Sequence, residues 1–223
     1  MKQLILLLIS VIILSCGQPG AKSTKQDSTE AAVSKADDEF IKAKDSLQAI
    51  INTNVHSLPV IDTICMGFTF NMTERQALEH FNQLIKEKKL VKNTSDGRYE
   101  YPLTFELTKA NATIAPQFHN DKLYQLGLVI ESADELATEQ TIYLQAATTY
   151  MKKYSNYRLF QEPDWADESN KQFHWIKNNL HISLHKSTGG AVVKYTNLLV
   201  DKDVEKEKSV AADSSKAQTK KDI

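Results

Sequence analysis

The fold is decided by residues 173–185, which read FHWIKNNLHISLH and, apart from Ile176, alternate apolar with polar side chains on either side of Asn178-Asn179. Asparagine tolerates the left-handed backbone conformation that a two-residue hairpin turn requires. The stretch therefore predicts an antiparallel hairpin in which Trp175 lies opposite Ile182. Because side chains alternate across a strand, one face of this hairpin is apolar and the other is polar.

The polar face carries His174, His181 and His185, which are the candidate metal ligands of the sequence. Extended geometry places the Cα atoms of His181 and His185 about 13 Å apart, whereas zinc-bound nitrogens lie about 2.1 Å from the ion. No His-Glu-x-x-His motif or carboxylate at a fixed spacing supplies further ligands. We therefore predict a solvated polar sheet face and no cofactor. Metal binding or metal-dependent hydrolysis by these histidines is an alternative.

Similar strand-like segments recur on both sides of the hairpin, and each series follows a helix signal. Capping boxes of the S/T-x-x-E/Q kind at residues 73–76 and 132–135 each predict the start of a helix. Strands are predicted at 61–70, 99–107, 112–118, 123–130, 157–161, 171–177, 180–185 and 191–200. Turn residues join them at 109–111, 120–121, 178–179 and 188–190.

These elements run in the order helix, then strands, twice. Short connections force neighbouring strands to run antiparallel. The apolar positions of the first helix are Ala77, Leu78, Phe81, Leu84 and Ile85, and those of the second are Leu136, Tyr143, Ala146, Ala147, Tyr150 and Tyr154. The tyrosines match the packing face of the second helix. The sequence thus predicts an α+β domain over residues 58–200, built from two halves, 58–131 and 132–200, that share one core.

Segments of different composition flank this domain. Residues 17–29 and 201–223 contain few large apolar side chains, so we predict a flexible tether and a disordered tail. Between the tether and Pro59, apolar residues at helical spacing predict an amphipathic helix. The segment 16–57 is therefore a tether with a possible helix, whose role the sequence leaves open.

The N-terminus has the form of an export signal. A lysine precedes about ten apolar residues, too few to span a bilayer that needs about 20. The following Leu14-Ser15-Cys16-Gly17 resembles the bacterial lipobox. That resemblance implies cleavage after residue 15, lipidation of Cys16 with acyl chains such as palmitate, and an anchor in the cell envelope. By the same resemblance, Gly17 in place of an Asp after Cys16 implies an outer-membrane location, with the domain facing the periplasm.

Two short stretches of the domain resemble a group of exported bacterial modules. Residues 67–74 read GFTFNMTE and residues 118–124 read FHNDKLY. The tandem arrangement is similar to the beta-lactamase inhibitory protein, and each half is similar to small outer-membrane assembly lipoproteins of that topology. The resemblance implies a role in binding other proteins without catalysis, although a fold does not determine a function.

Composition narrows the function classes. The 223 residues carry 27 basic and 28 acidic side chains, a formal net charge of −1 that gives no electrostatic case for nucleic acid. Only two cysteines occur, so lipidation of Cys16 leaves Cys65 without a disulfide partner in the chain. Cys65 could act as a nucleophile if a base lay beside it, but a cysteine in a strand is more often a small buried apolar residue.

The segment from Glu162 to Glu168 concentrates carboxylates around Trp165. It lacks the spacing and the glycine of a calcium-binding EF-hand loop. Trp165 is a candidate contact residue because tryptophan is favoured at binding hot spots, although packing against the domain is the commoner role.

The sequence contains no catalytic serine motif, phosphate-binding loop or dinucleotide fingerprint. We therefore predict a membrane-anchored protein-binding module rather than an enzyme, with a partner in the cell envelope. The alternatives are the metal-dependent function described above and a small-molecule or peptide binder with a groove between the two halves.

Overall fold

Eight strands form one antiparallel sheet in the computed structural model, which describes residues 27–134, 137–162 and 171–219. The first four strands are β1 (Val91–Lys92), β2 (Tyr99–Thr104), β3 (Lys109–His119) and β4 (Lys122–Ser132). The last four are β5 (Arg158–Gln161), β6 (Phe173–Lys177), β7 (Leu180–Ser187) and β8 (Gly190–Asn197). The helices are α1 (Asp27–Asn54), α2 (Glu74–Lys86), α3 (Glu139–Lys153) and α4 (Leu198–Thr219). This is the predicted α+β class, with one helix preceding each series of strands.

The sheet order, β1-β2-β3-β4-β8-β7-β6-β5, joins two consecutive antiparallel series through β4 and β8. Their register runs from Gln125 opposite Thr196 to Glu131 opposite Gly190. The two series therefore form one continuous sheet. On one face of this sheet, buried apolar side chains of both series belong to a single cluster, as expected for halves that share one core.

The predicted hairpin turns are confirmed at two places. In the β6–β7 hairpin, Trp175 lies opposite Ile182 and Asn178 has a φ of 52°. In the β3–β4 hairpin, Asn120 and Asp121 have φ values of 49° and 57°, the left-handed pair of a tight two-residue turn.

Helix α2 begins as the sequence predicts. The Thr73 side chain accepts from the backbone of Gln76, and the Gln76 side chain accepts from the backbone of Thr73. Ala77, Phe81 and Leu84 are buried, but Leu78 is 49% exposed because it lies at the edge of the packed face.

The predicted start of the second helix at residue 132 is wrong. The Ser132 hydroxyl donates to the Asp134 carbonyl and accepts from its backbone amide, which makes a local turn at the end of β4. Helix α3 begins after Thr138, whose hydroxyl caps the amide of Thr141. The predicted packing positions from Tyr143 to Tyr154 are buried, and Leu136 lies outside the described residues.

Three further segments differ from expectation. Residues 61–70 are not a strand but an irregular loop with one isolated bridge between Thr63 and Thr69. Residues 109–111 belong to β3, because the chain turns earlier, where the Phe105 amide donates to the Thr108 carbonyl. Residues 201–219, assigned by composition to a disordered tail, continue helix α4, whose first turns are held by the buried Leu198 and Val204.

The helices occupy both faces of the sheet. Helix α3 packs on β4, β7 and β8, and α2 packs on β4. On the opposite face, Ile51 and Val55, at the C-terminal end of α1, cluster with Ile176 of β6 and Leu198 of α4. A hydrogen bond of 2.9 Å from Lys202 to Asn52 also links α4 to α1.

Gly190 gives a direct test of the β4–β8 junction. A Cβ at this position would collide with the Ile130 carbonyl oxygen and would lie 2.9 Å from Ile142 of α3. We expect Gly190→Ala to lower the free energy of unfolding by about 2 kcal/mol or more, measured by chemical denaturation. Gly127→Ala is the matched control on β4, because its new Cβ would meet only ordinary contacts with Ala115. Equal stability losses in the two variants would contradict this account of the junction.

Candidate functional site

A cleft of ≈ 440 Å³ lies between α2 and α3 on the core face of the sheet. Its floor includes Tyr101 of β2, Leu128 of β4 and Tyr195 of β8, and its sides include Leu84 of α2 and Thr149 of α3. Both halves therefore contribute to one concave surface. Its volume falls in the range of about 300–1,000 Å³ that is usual for sites that bind small molecules.

The loop of residues 61–70 supplies Cys65 and Met66 to the wall of this cleft. Met66 and Gly67 both have positive φ values, 53° and 79°. Nε2 of His80 on α2 lies 2.8 Å from the Met66 carbonyl oxygen, and the buried Phe68 ring meets the His80 ring edge-on at 4.6 Å. These contacts hold the loop in place against α2.

A buried asparagine of the second half anchors the start of the same loop. Asn179 is fully buried, and its Oδ1 accepts from the Ile61 amide at 2.6 Å. Its Nδ2 donates to the Ile61 carbonyl at 2.9 Å and to Asn197 Oδ1 at 3.2 Å. The turn residue predicted from the hairpin pattern thus also positions the wall of the cleft.

One end of the cleft is polar. The hydroxyls of Tyr150 and Tyr195 are 2.7 Å apart, and Tyr154 donates to the Tyr195 hydroxyl at 3.4 Å. Burial raises the pKa values of Tyr150 and Tyr195 well above the usual range, so both phenols are neutral. Lys153 lies at the same end, with its Nζ 5.2 Å from the centroid of the Tyr154 ring.

Cys65 adjoins this phenol group and is buried. Burial raises the pKa of its thiol to about 12, an effect that the Lys153 charge and a hydrogen bond from Tyr195 only partly oppose. The thiol is therefore protonated at neutral pH. Since the thiolate is the nucleophilic form, this position favours packing over nucleophilic catalysis.

The other end of the cleft is apolar. Leu84, Leu103, Phe105, Leu128 and Ile130 line it. Among the residues that the structure describes, the charged side chains in the lining are Lys89 and Lys153, and both are cations. The Lys89 Nζ is already paired with Glu87 Oε2 at 2.8 Å, whereas Lys153 lies against an aromatic ring.

A larger hollow of ≈ 680 Å³ lies beside the turn between β2 and β3. It is lined by residues 104–109, Ala133 and Asp134. Because it brings together only one turn and the end of β4, it lacks the convergence of elements that characterises the cleft.

The structure places the three candidate histidines on one face of the sheet, as predicted, opposite to the cleft. The His174 Nδ1 lies 3.0 Å from the His181 Nε2, so one ring donates a hydrogen bond to the other. The His174 Nε2 is 3.4 Å from Glu162 Oε1, too long for a well-formed hydrogen bond. Within the part of the chain that the structure describes, no three His, Cys, Asp or Glu side chains gather as metal ligands would.

The predicted solvation of this face is wrong at His174, which is only 5% exposed. Its neighbour Ile176 packs against Ile51 and Val55, at the C-terminal end of α1. The helix was predicted from its apolar periodicity, which does not identify the sheet face on which the helix packs.

Burial of the histidines makes the stability depend on pH. Burial, and then the neighbouring His185, lower the pKa of His174 to about 4, and burial, and then His174, lower that of His181 to about 3. Both pKa values lie below the unfolded value of about 6.5, so the unfolded chain binds more protons between them. The stabilisation is complete above pH 6.5 and is lost as the pH falls towards 4 and 3.

We expect His181→Asn to flatten the fall in the free energy of unfolding between pH 6.5 and pH 4, measured by urea denaturation. Burial raises the pKa of Glu162, so protonation of this carboxyl favours the folded protein as the pH falls, which opposes the effect of the histidines. Because Glu162 is present in both proteins, the difference in slope between His181→Asn and the unsubstituted protein reports the histidine contribution. The exposed His56→Gln is the matched control and should retain the original slope. An unchanged slope in His181→Asn would refute the buried neutral pair.

Two other sequence candidates, Cys16 and Trp165, lie outside the described residues, as does most of the acidic segment around Trp165. Packing was predicted for Tyr150 and Tyr154, whereas Lys89, Lys153 and Tyr195 were not predicted as site residues. Packing is confirmed for the two helix tyrosines, which also supply hydroxyls to the polar end of the cleft. Their spacing of four residues on one helix face was the available signal, but it is equally typical of core packing.

Comparison of the chain with known protein families, with curated proteins and with solved structures finds no significant match. The resemblance to the beta-lactamase inhibitory protein and to envelope lipoproteins therefore stays a prediction.

No helix in the described ranges, 27–134, 137–162 and 171–219, combines the length and apolar character that crossing a bilayer requires.

Proposed function

We propose that this protein is a lipid-anchored binding protein of the bacterial cell envelope, which holds a small ligand in the cleft between its two halves without transforming it. The observation that supports the proposal most strongly is the ≈ 440 Å³ cleft, to which β2, β4, β8, α2 and α3 all contribute. Sites built in this way, apolar with a few polar groups at one end, are typical of ligand binding.

The residues around the cleft favour binding over catalysis. Cys65 is the nucleophile candidate of the lining, and its thiol is protonated by burial. The hydroxyls of Tyr150 and Tyr195 are neutral and bonded to each other. The three histidines of the β6–β7 hairpin lie on the opposite face of the sheet, so they do not serve as bases in the cleft.

The cleft also changes the order of the hypotheses drawn from the sequence. The predicted protein-binding role was based on the lipid anchor, the tether and the lack of a catalytic motif, and its candidate contact residue, Trp165, is not among the described residues. The groove between the halves was an alternative prediction, and the cleft that residues of both halves line supports it. We therefore place ligand binding in the cleft first and retain the lipid anchor as the feature that keeps the protein at a membrane.

Binding in the cleft is tested with the neutral fluorescent probe N-phenyl-1-naphthylamine and the chain from residue 16 onward carrying Cys16→Ser. Thr149 is an exposed residue of α3 in the lining, so Thr149→Trp should narrow the cleft without disturbing the core. We expect at least a tenfold loss of probe affinity in this variant, equivalent to about 1.4 kcal/mol.

Thr148→Trp is the matched control, because Thr148 is also exposed on α3 but is not part of the cleft lining. It should bind the probe as the unsubstituted protein does. Equal probe binding by all three proteins, or binding by none of them, would exclude the cleft as the binding site.

The lipid anchor is tested by labelling the producing cells with palmitate. We expect Cys16→Ala to abolish incorporation of the label, because the lipobox resemblance assigns the acylated position to Cys16. Cys65→Ala is the matched control and should retain the label, since Cys65 is buried within the folded domain. Label retained in Cys16→Ala would contradict the anchor without affecting the assignment of the cleft.

A further inference from the structure

The lining of the cleft divides into an apolar part and a polar part. Leu84, Leu103, Phe105 and Ile130 lie in the apolar part, which faces α2 and the first half. The hydroxyls of Tyr150 and Tyr195 mark the polar part at α3 and β8. A ligand that fills both parts must therefore have an apolar body and a polar end.

The charged side chains of the cleft determine which charge the polar end of the ligand should carry. Within the described part of the chain, the charged residues that line the cleft are Lys89 and Lys153, and both are cations. An anion that enters the apolar cleft would be desolvated, so it needs a cation within the site. Lys153 is the better placed of the two because Glu87 already pairs with Lys89 at 2.8 Å.

Lys153 has the freedom to take up such a partner. It extends from the last residue of α3, is exposed, and contacts the face of Tyr154 through its Nζ. It lies close enough to Cys65 for its charge to act on the thiol at the polar end. A carboxylate near the Tyr150 and Tyr195 hydroxyls would therefore lie within the field of this ammonium group.

We propose that the ligand is a single-chain amphiphilic carboxylate of the fatty-acid class, with its chain among the leucines of the first half and its carboxylate held by Lys153. This inference rests on the proposed binding function and specifies its ligand. The size of the cleft fits a medium-length chain rather than a folded partner, and the basic lining selects an acid over an alcohol of equal length.

The test compares dodecanoate with dodecanol, both below their micelle concentrations, as competitors of N-phenyl-1-naphthylamine on the chain carrying Cys16→Ser. We expect dodecanoate to bind at least tenfold more tightly than dodecanol, because one charge-assisted contact contributes about that factor. In Lys153→Met, whose side chain keeps a similar apolar length, the ratio of the two affinities should fall to about one, whatever the affinity for dodecanol itself.

Lys152→Met is the matched control, because Lys152 is the preceding exposed residue of α3 and is not in the cleft lining. It should keep the preference for dodecanoate. Denaturation curves of both variants verify that they are folded.

Two outcomes would overturn the proposal in distinguishable ways. Equal affinities for dodecanoate and dodecanol, or a preference that survives Lys153→Met, would reject the acidic ligand and leave binding in the cleft intact. A short peptide with an apolar C-terminal residue that binds more tightly than dodecanoate would reject the fatty-acid class in favour of a peptide. Failure of the probe itself to bind would reject the proposed function.

Discussion

The antiparallel pairing of β4 with β8 is the interaction on which the rest of the structure depends. Without it, each series of strands would have its own sheet edge and its own helix, and no cleft would join them. The pairing brings Gly190 so close to Ile130 that the Cα of residue 190 has room for a hydrogen atom but not for a Cβ. It also places Leu128 of the first half beside Val193 of the second, so that both halves bury their apolar faces in one cluster.

One continuous sheet with two helices on the same face leaves a region between the helices that neither covers. The loop of residues 61–70 and the phenol group of α3 and β8 border that region. Asn179, which belongs to the second half, holds the start of this loop through hydrogen bonds to Ile61 and is itself bonded to Asn197. The cleft is therefore a consequence of the way the halves are joined, and both halves are needed to form it.

Periodicity and turn chemistry, which are local properties, predicted much of the fold. The Asn178-Asn179 turn set the β6–β7 register residue by residue, and the Thr73 capping box set the start of α2. The capping box at Ser132 failed because a serine hydroxyl can bond to a nearby backbone in a turn as readily as in a helix cap. The extension of α4 was missed because a few buried contacts, including Val204, dock a segment that is otherwise polar.

The candidate site was far less accessible to sequence reasoning, because it depends on contacts between residues distant in the chain. Cys65, Tyr150 and Tyr195 meet only after both halves have folded, and no spacing in the sequence records that meeting. The central claim is that this meeting point binds a ligand. A crystal structure of the protein saturated with N-phenyl-1-naphthylamine tests it most directly. The account predicts density for the probe between α2 and α3, against Leu103 and Tyr150. Density confined to another surface, with the cleft empty, would contradict it.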